Sequence, residues 1–215
     1  MRILAMDTCL SACSAAIWQE GRVIARQWRP MQRGHAEALL PMVEELRAET
    51  GFDYGGLDRL AVSIGPGSFA GVRVGLAAAR GICATHALPL VGIGTLELLA
   101  ASVQQEERFA IALDARNAQV YFQAFAKGAT LCPPELLSLA EAAARVTQFQ
   151  SVSVFGGGAG LLAPLCGAGV QSCGLDLLPD AAALAELAAT REPQAAETVA
   201  PLYLRAPDAK LPAAP

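Results

Sequence analysis

Lysine and histidine are almost missing from this sequence. Lys127 and Lys210 are its only lysines, and His35 and His86 its only histidines, in 215 residues. These absences exclude particular chemistries. A Walker A loop ends in Gly-Lys-Ser/Thr because the lysine meets the terminal phosphates, yet no lysine precedes residue 127. Two histidines this far apart cannot form an H-x-x-x-H metal pair. The cysteines at 9, 13, 83, 132, 166 and 173 contain no CxxC pair. No metal and no cofactor is therefore expected. Cationic excess is missing too: a formal charge of −4 at pH 7 argues against a free-standing nucleic-acid binder. The dense arginine group Arg22, Arg26, Arg29 and Arg33 reads as a basic patch or as the solvated edge of a strand and loop. No apolar run is long enough to span a membrane without Arg or Gly interruptions. The opening "MRILAMDTCL" moves straight into a strand instead of a leader, and unpaired thiols fit a reducing cytoplasm.

What the sequence does have is apolar side chains, 53% of the total, in periodic runs. Three strand-like segments open it, "RILAMD", "ACSAAIW" and "RVIARQW", separated by short polar breaks as in an antiparallel meander. "HAEALLPMVEELRAETG" then spaces Leu39, Leu40, Val43 and Leu46 for a helix capped at Gly51. Pro41 predicts that this helix starts or bends there. Strand "RLAVSI", a glycine turn with a helix, strand "LPLVGI" and helix "TLELLAASVQQ" follow. From residue 107 the pattern restarts with a strand, a short break and a second strand, then helix "SLAEAAARVTQ", strand "SVSVF", the loop "GGGAG" and a helix near 181–191. A repeated unit predicts two related α/β lobes, 1–105 and 106–215, with a cleft between them and the last segment packing back on the first.

The actin-like ATPase fold is built this way, with strand-end carboxylates facing magnesium and phosphates across the cleft. Asp7 and Asp114 end the matching first strands, and Arg116, Gly157 and Gly158 complete the candidate nucleotide cleft. Either Asp alone reads first as a turn former, and the pair at matching places brings the cleft reading level with it. Phosphate loops in that fold need a glycine just after the Asp so that backbone N–H groups reach the ligand. Here "DTCLSA" and "DARNAQ" have none. Gly65, Gly67 and Ala70 fit a relaxed dinucleotide fingerprint, but no acidic residue ends the next strand to hold a ribose. Ser68 in "GPGSFAG" only loosely resembles a nucleophile elbow.

The helix "GVRVGLAAARGICATH" at 71–86 lacks a polar side. Val72, Leu76, Ala79 and Cys83 form one apolar stripe, while Val74, Ala77, Ala78 and Ile82 point elsewhere; only Arg73 and Arg80 share a charged side. A helix on a sheet needs one apolar stripe, not several. Its second cover is either a partner subunit, brought close by Gly71, Gly75 and Ala79, or helix 35–50 of the same chain.

The segments "ILAMDTCLSACSAAI", "GHAEALLP", "SIGPGSFAGVRVGLAAARG", "DARNAQVY" and "PLYLR" together, and in this order, resemble the TsaB (YeaZ) family of the tRNA threonylcarbamoyladenosine machinery. Ala70 stands where that family usually has threonine. The resemblance implies an actin-like fold with a shortened second lobe and no catalytic activity of its own. It implies binding to the catalytic homologue TsaD and the ATPase TsaE, or to a second copy as a homodimer, with tRNA met only through the complex. The interface residues it implies are His35, Glu37, Leu39, Leu40, Val43, Gly71, Val74, Gly75, Ala78 and Ile82. A small ATPase or sugar-type kinase working through the cleft is the rival, and a peptidase a weaker one.

Overall fold

The structure is a computed structural model describing residues 1–103, 107–127, 129–150, 153–167, 169–174 and 176–205. Strands β1 (Arg2–Asp7), β2 (Ala12–Gln19) and β3 (Arg22–Pro30) form the expected antiparallel meander. Helix α1 (His35–Thr50) leads to β4 (Arg59–Ser63), helix α2 (Phe69–His86), β5 (Leu90–Ile93) and α3 (Thr95–Ala101). Both β4 and β5 run parallel to β1, so the sheet order is β3-β2-β1-β4-β5.

The second half repeats this plan. Strands β6 (Arg108–Arg116), β7 (Gln119–Ala126), β8 (Ala129–Thr130) and β9 (Glu135–Ser138) precede α4 (Leu139–Gln148), β10 (Ser153–Phe155), α5 (Ala159–Leu162), β11 (Gln171–Cys173) and α6 (Ala181–Ala189). The order is β11-β10-β6-β7-β8, with β9 also pairing with β7. Strand β6 takes the place of β1, with an antiparallel neighbour on one side and parallel strands on the other. This is the α/β actin-like architecture, and its second lobe is cut short: α2 has 18 residues, its counterpart α5 only 4.

Strand alternation distributes the core. In β1, Leu4 and Met6 point to α1 and α2, meeting Leu39, Met42, Val43, Leu46, Leu76 and Ala79. Ile3 and Ala5 point the other way, to Leu184, Ala185 and Ala188 of α6. The last helix thus completes the first lobe. Helix α3 lies between the sheets: Leu98 joins the α6 side, while Leu96 and Leu99 pack on Phe109, Ile111 and Leu113 of β6. The expected lobe boundary at 105/106 and the tail of the expected third helix lie outside the described residues.

Two local expectations are settled by backbone chemistry. Gly51 takes the left-handed conformation and its N–H closes on Arg47 O at 2.9 Å, ending α1 as expected. Pro41 neither starts nor ends the helix. It sits on the exposed side of α1, where the carbonyl left without an N–H partner faces water.

From residue 193 the chain crosses both lobes as an extended strap. Gln194 exchanges backbone bonds with Leu90, Leu202 N–H donates to Ile64 O at 2.7 Å, and Arg80 of α2 donates to Val199 O at 2.6 Å. Arg205 then reaches the second lobe, donating to Gln119 Oε1 at 2.7 Å.

Candidate functional site

A cavity of about 500 Å³ opens between the lobes, lined in part by Cys9, Gly67, Ser68, Phe69, Asp114, Arg116 and Arg205. The two strand-end aspartates do not face each other across it. Asp7 is fully buried, and its Oδ1 accepts from the Ser63 hydroxyl and from Cys9 N–H. Burial pushes its carboxyl up to about 6, against the Ser63 and Cys9 hydrogen bonds that pull it down. Oδ2 has no partner. Asp114 is exposed in the cleft, where its Oδ1 accepts from Arg116 N–H at 2.7 Å within the hairpin turn.

The glycines explain the difference. Any Cβ on Gly67 would strike the carbonyl of Cys9, and any Cβ on Gly71 the carbonyl of Thr8. Ser68 N–H donates to Cys9 O at 2.8 Å, and Thr8 Oγ1 donates to Gly71 O at 2.7 Å. The turn and first helical residues therefore close over the loop after β1. In the second lobe Gly156 and Gly158 pack tightly on strand β6 but leave Asp114 open: added Cβ atoms would lie 2.6 Å from Ala112 O and 3.0 Å from Leu113 C, while Gly157 is exposed. Of the expected nucleotide-cleft set, only Asp114 and Arg116 line the cavity.

Nucleophilic chemistry finds no set either. Ser68, His35 and Asp114 share the cavity, but each is engaged elsewhere. Ser68 Oγ caps α2 by accepting from Gly71 N–H at 3.0 Å, and His35 Nε2 lies 2.9 Å from Leu10 O. Ser68 is thus the N-cap of α2. Burial pushes the Cys9 thiol to about 12, with the nearby Asp7 adding to it. Among the described residues no group of three or more His, Cys, Asp or Glu side chains converges. The arginine cluster resolves as a solvated edge: Arg26 pairs with Asp180 at 2.6 Å and Arg29 with Glu45 at 2.9 Å.

The two helices need a correction. Gly71 and Gly75 are buried, and a Cβ on Gly75 would lie 2.7 Å from Thr8 Oγ1, so the close approach they permit is to their own lobe. Leu39 and Val43 are buried in the first core, and His35 is also buried. None of these five presents a side chain to a partner. Val74, Ala78 and Ile82 are half-buried against that core, and Glu37 and Leu40 are exposed. The outward face of α2 is instead Ala70, Ala77, Gly81 and Ala84, and on α1 Leu40 and Pro41 are exposed. It is small-residued and uncharged apart from Arg73. Sequence inspection also passed over Tyr203 and Arg205, whose strap has no periodicity to betray it.

A family model described as TsaD, tRNA N6-adenosine threonylcarbamoyltransferase, matches residues 29–159, more than half of the chain. The solved structure of YeaZ from Pseudomonas aeruginosa superposes with a TM-score of 0.84 at 31% identity, covering 94% of this chain and 99% of that one. The chain belongs to the TsaB (YeaZ) family. The TsaB protein of Escherichia coli, named for tRNA threonylcarbamoyladenosine biosynthesis, is 38% identical over 125 residues, 57% of this chain and 54% of its own length. The chain thus matches about half the length of such curated TsaB relatives. A tRNA N6-adenosine threonylcarbamoyltransferase from Erythrobacter litoralis is 46% identical over 65 residues, 30% of this chain and 19% of that one. TsaB-family sequence and transferase sequence therefore share a common scaffold here. Among the described residues no helix is long and apolar enough to cross a membrane.

Proposed function

We propose that this chain acts in tRNA threonylcarbamoyladenosine biosynthesis as a non-catalytic subunit that docks and activates a TsaD-like transferase. A TsaE-like ATPase joins the pair, and the modified base is the adenosine beside the anticodon in tRNAs reading codons that begin with A. The observation that carries the reading is the outward face of α2, Ala70, Ala77, Gly81 and Ala84. Small residues on an exposed helix let a second helix approach closely, and their apolar surface gains by being covered. A homologous transferase is the natural occupant, because a related lobe carries related helices. The same face would serve a homodimer when the partner is absent. A buried Asp7 and a turn closed over the loop after β1 support the non-catalytic part: a metal–phosphate pair has no carboxylate to meet there.

Ala77→Glu tests the reading, since Ala77 is exposed and the change leaves the core untouched. It is expected to weaken co-elution with the TsaD-like subunit by at least tenfold, with the melting temperature of the chain alone unchanged. Wild-type co-elution by the variant would overturn the docking face.

A further inference from the structure

We propose that the mouth of the interlobe cleft is an RNA-contact patch, formed by Arg73, Arg116 and Arg205 with the exposed rings of Phe69 and Tyr203. The proposal rests on the tRNA-modification reading above and assigns the chain its own share of tRNA binding.

What sets these arginines apart is that they meet at one opening, since the side chains of Arg2, Arg59, Arg80 and Arg108 also have only neutral partners among the described residues. Six basic side chains elsewhere, those of Arg26, Arg29, Arg47, Lys127, Arg145 and Arg191, meet carboxylates. The three at the cleft meet only neutral groups among the described residues. Arg73 Nε donates to the Tyr203 hydroxyl at 2.9 Å and lies 3.4 Å over the Phe69 ring. Arg205 donates to Gln119 Oε1 and Arg116 O. Arg116 uses its backbone alone, its guanidinium having no partner among the described residues. Against these three charges the cavity lining offers the one carboxylate of Asp114. Positive charge thus exceeds negative at this opening, on a protein whose net charge is −4.

The rings point to the kind of partner. Phe69 is 52% and Tyr203 47% exposed, stacked with centroids 5.8 Å apart and with Arg73 against them. Guanidiniums with exposed aromatics suit RNA, whose phosphates take the charge and whose unstacked bases take the rings. An acidic protein surface would satisfy the arginines and leave the rings without a task. The net negative charge makes this contact local, weak and salt-sensitive in the chain alone, and a larger share of the grip in the complex.

The test uses Arg116→Glu, whose side chain anchors nothing, and separately Arg205→Gln, with a labelled tRNA transcript reading codons that begin with A. Bound to the TsaD-like subunit, each variant is expected to lose about tenfold in tRNA affinity, and the slope of log affinity against log salt flattens by about one. Co-elution with the subunit stays at the wild-type level. Unchanged tRNA affinity and slope overturn the patch. So does weakened co-elution with unchanged tRNA affinity of the assembled complex, which would give the arginines to an acidic face of the partner protein. Titrating the chain alone separates this from the docking reading. Weak salt-sensitive tRNA binding that Arg116→Glu removes supports the patch even if wild-type chain never co-elutes with the subunit; no difference between variant and wild type overturns it.

Discussion

Asp7 ends β1 and Asp114 lies two residues before the end of β6, the matching strand of the second lobe, and their surroundings are opposite. One is sealed under a turn and a helix, the other open in the cleft. The residues that follow do not account for this, since neither loop carries a phosphate-binding glycine. What covers them does. In the first lobe an 18-residue helix starts by laying Gly71 and Gly75 against Thr8, which closes the loop under it. In the second, the equivalent helix is 4 residues long, and the chain leaves β6 through Arg116, Asn117 and Ala118, all in left-handed backbone. Shortening a lobe removed the lid from its carboxylate, and a long helix with glycines at its start made the other carboxylate structural.

The comparison breaks most visibly at the lid. Gly71→Ala places a methyl against the Thr8 carbonyl with no flexible side chain to yield, and is expected to cost at least about 3 kcal/mol in urea unfolding. Gly81→Ala, ten residues along the same helix with nothing within 4 Å, should gain up to about 1 kcal/mol from helix propensity. Equal effects at the two positions would mean that the helix start does not lean on the β1 loop.

Asp7 gives the next effect. Its carboxyl sits near 6 in the folded chain against 3.8 as a free side chain, so the native state keeps a proton that the unfolded state releases between those values. Stability is therefore lowered as pH rises from about 4 to 6, by about 3 kcal/mol in all, and is flat above. Asp7→Asn removes that penalty. It should stabilise the chain by about 2 kcal/mol at neutral pH, after the imperfect fit of the amide, and by nothing near pH 4. A gain that does not vary with pH would show that ionisation is not the cause. Asp114→Asn, in water, should shift stability by less than about 0.5 kcal/mol and leave partner-dependent tRNA modification intact. Loss of modification would restore the cleft as a nucleotide site.

Much of this fold was legible in the sequence because periodicity reports which side of an element is apolar. Helix α1 was expected over 35–50 and runs His35–Thr50, and the restart at residue 107 became the second sheet. Periodicity could not tell which small residues of α2 face the sheet, since Gly71, Gly75, Ala77 and Gly81 look alike until Thr8 is placed beneath two of them. Direction was misread there, and with it half of the expected interface. The cleft's cationic groups were illegible for another reason. Arg73, Arg116 and Arg205 come from a helix, a hairpin turn and an unpatterned strap, joined only by folding.

Helix α6 also sets an order of assembly. The sheet it covers is complete by residue 93, yet Ile3, Ala5, Ala16 and Val91 stay bare on that side until residues 181–188 have left the ribosome. Through most of its synthesis the nascent first lobe is a half-built sandwich with one greasy wall facing water, the condition under which chaperone capture competes with folding.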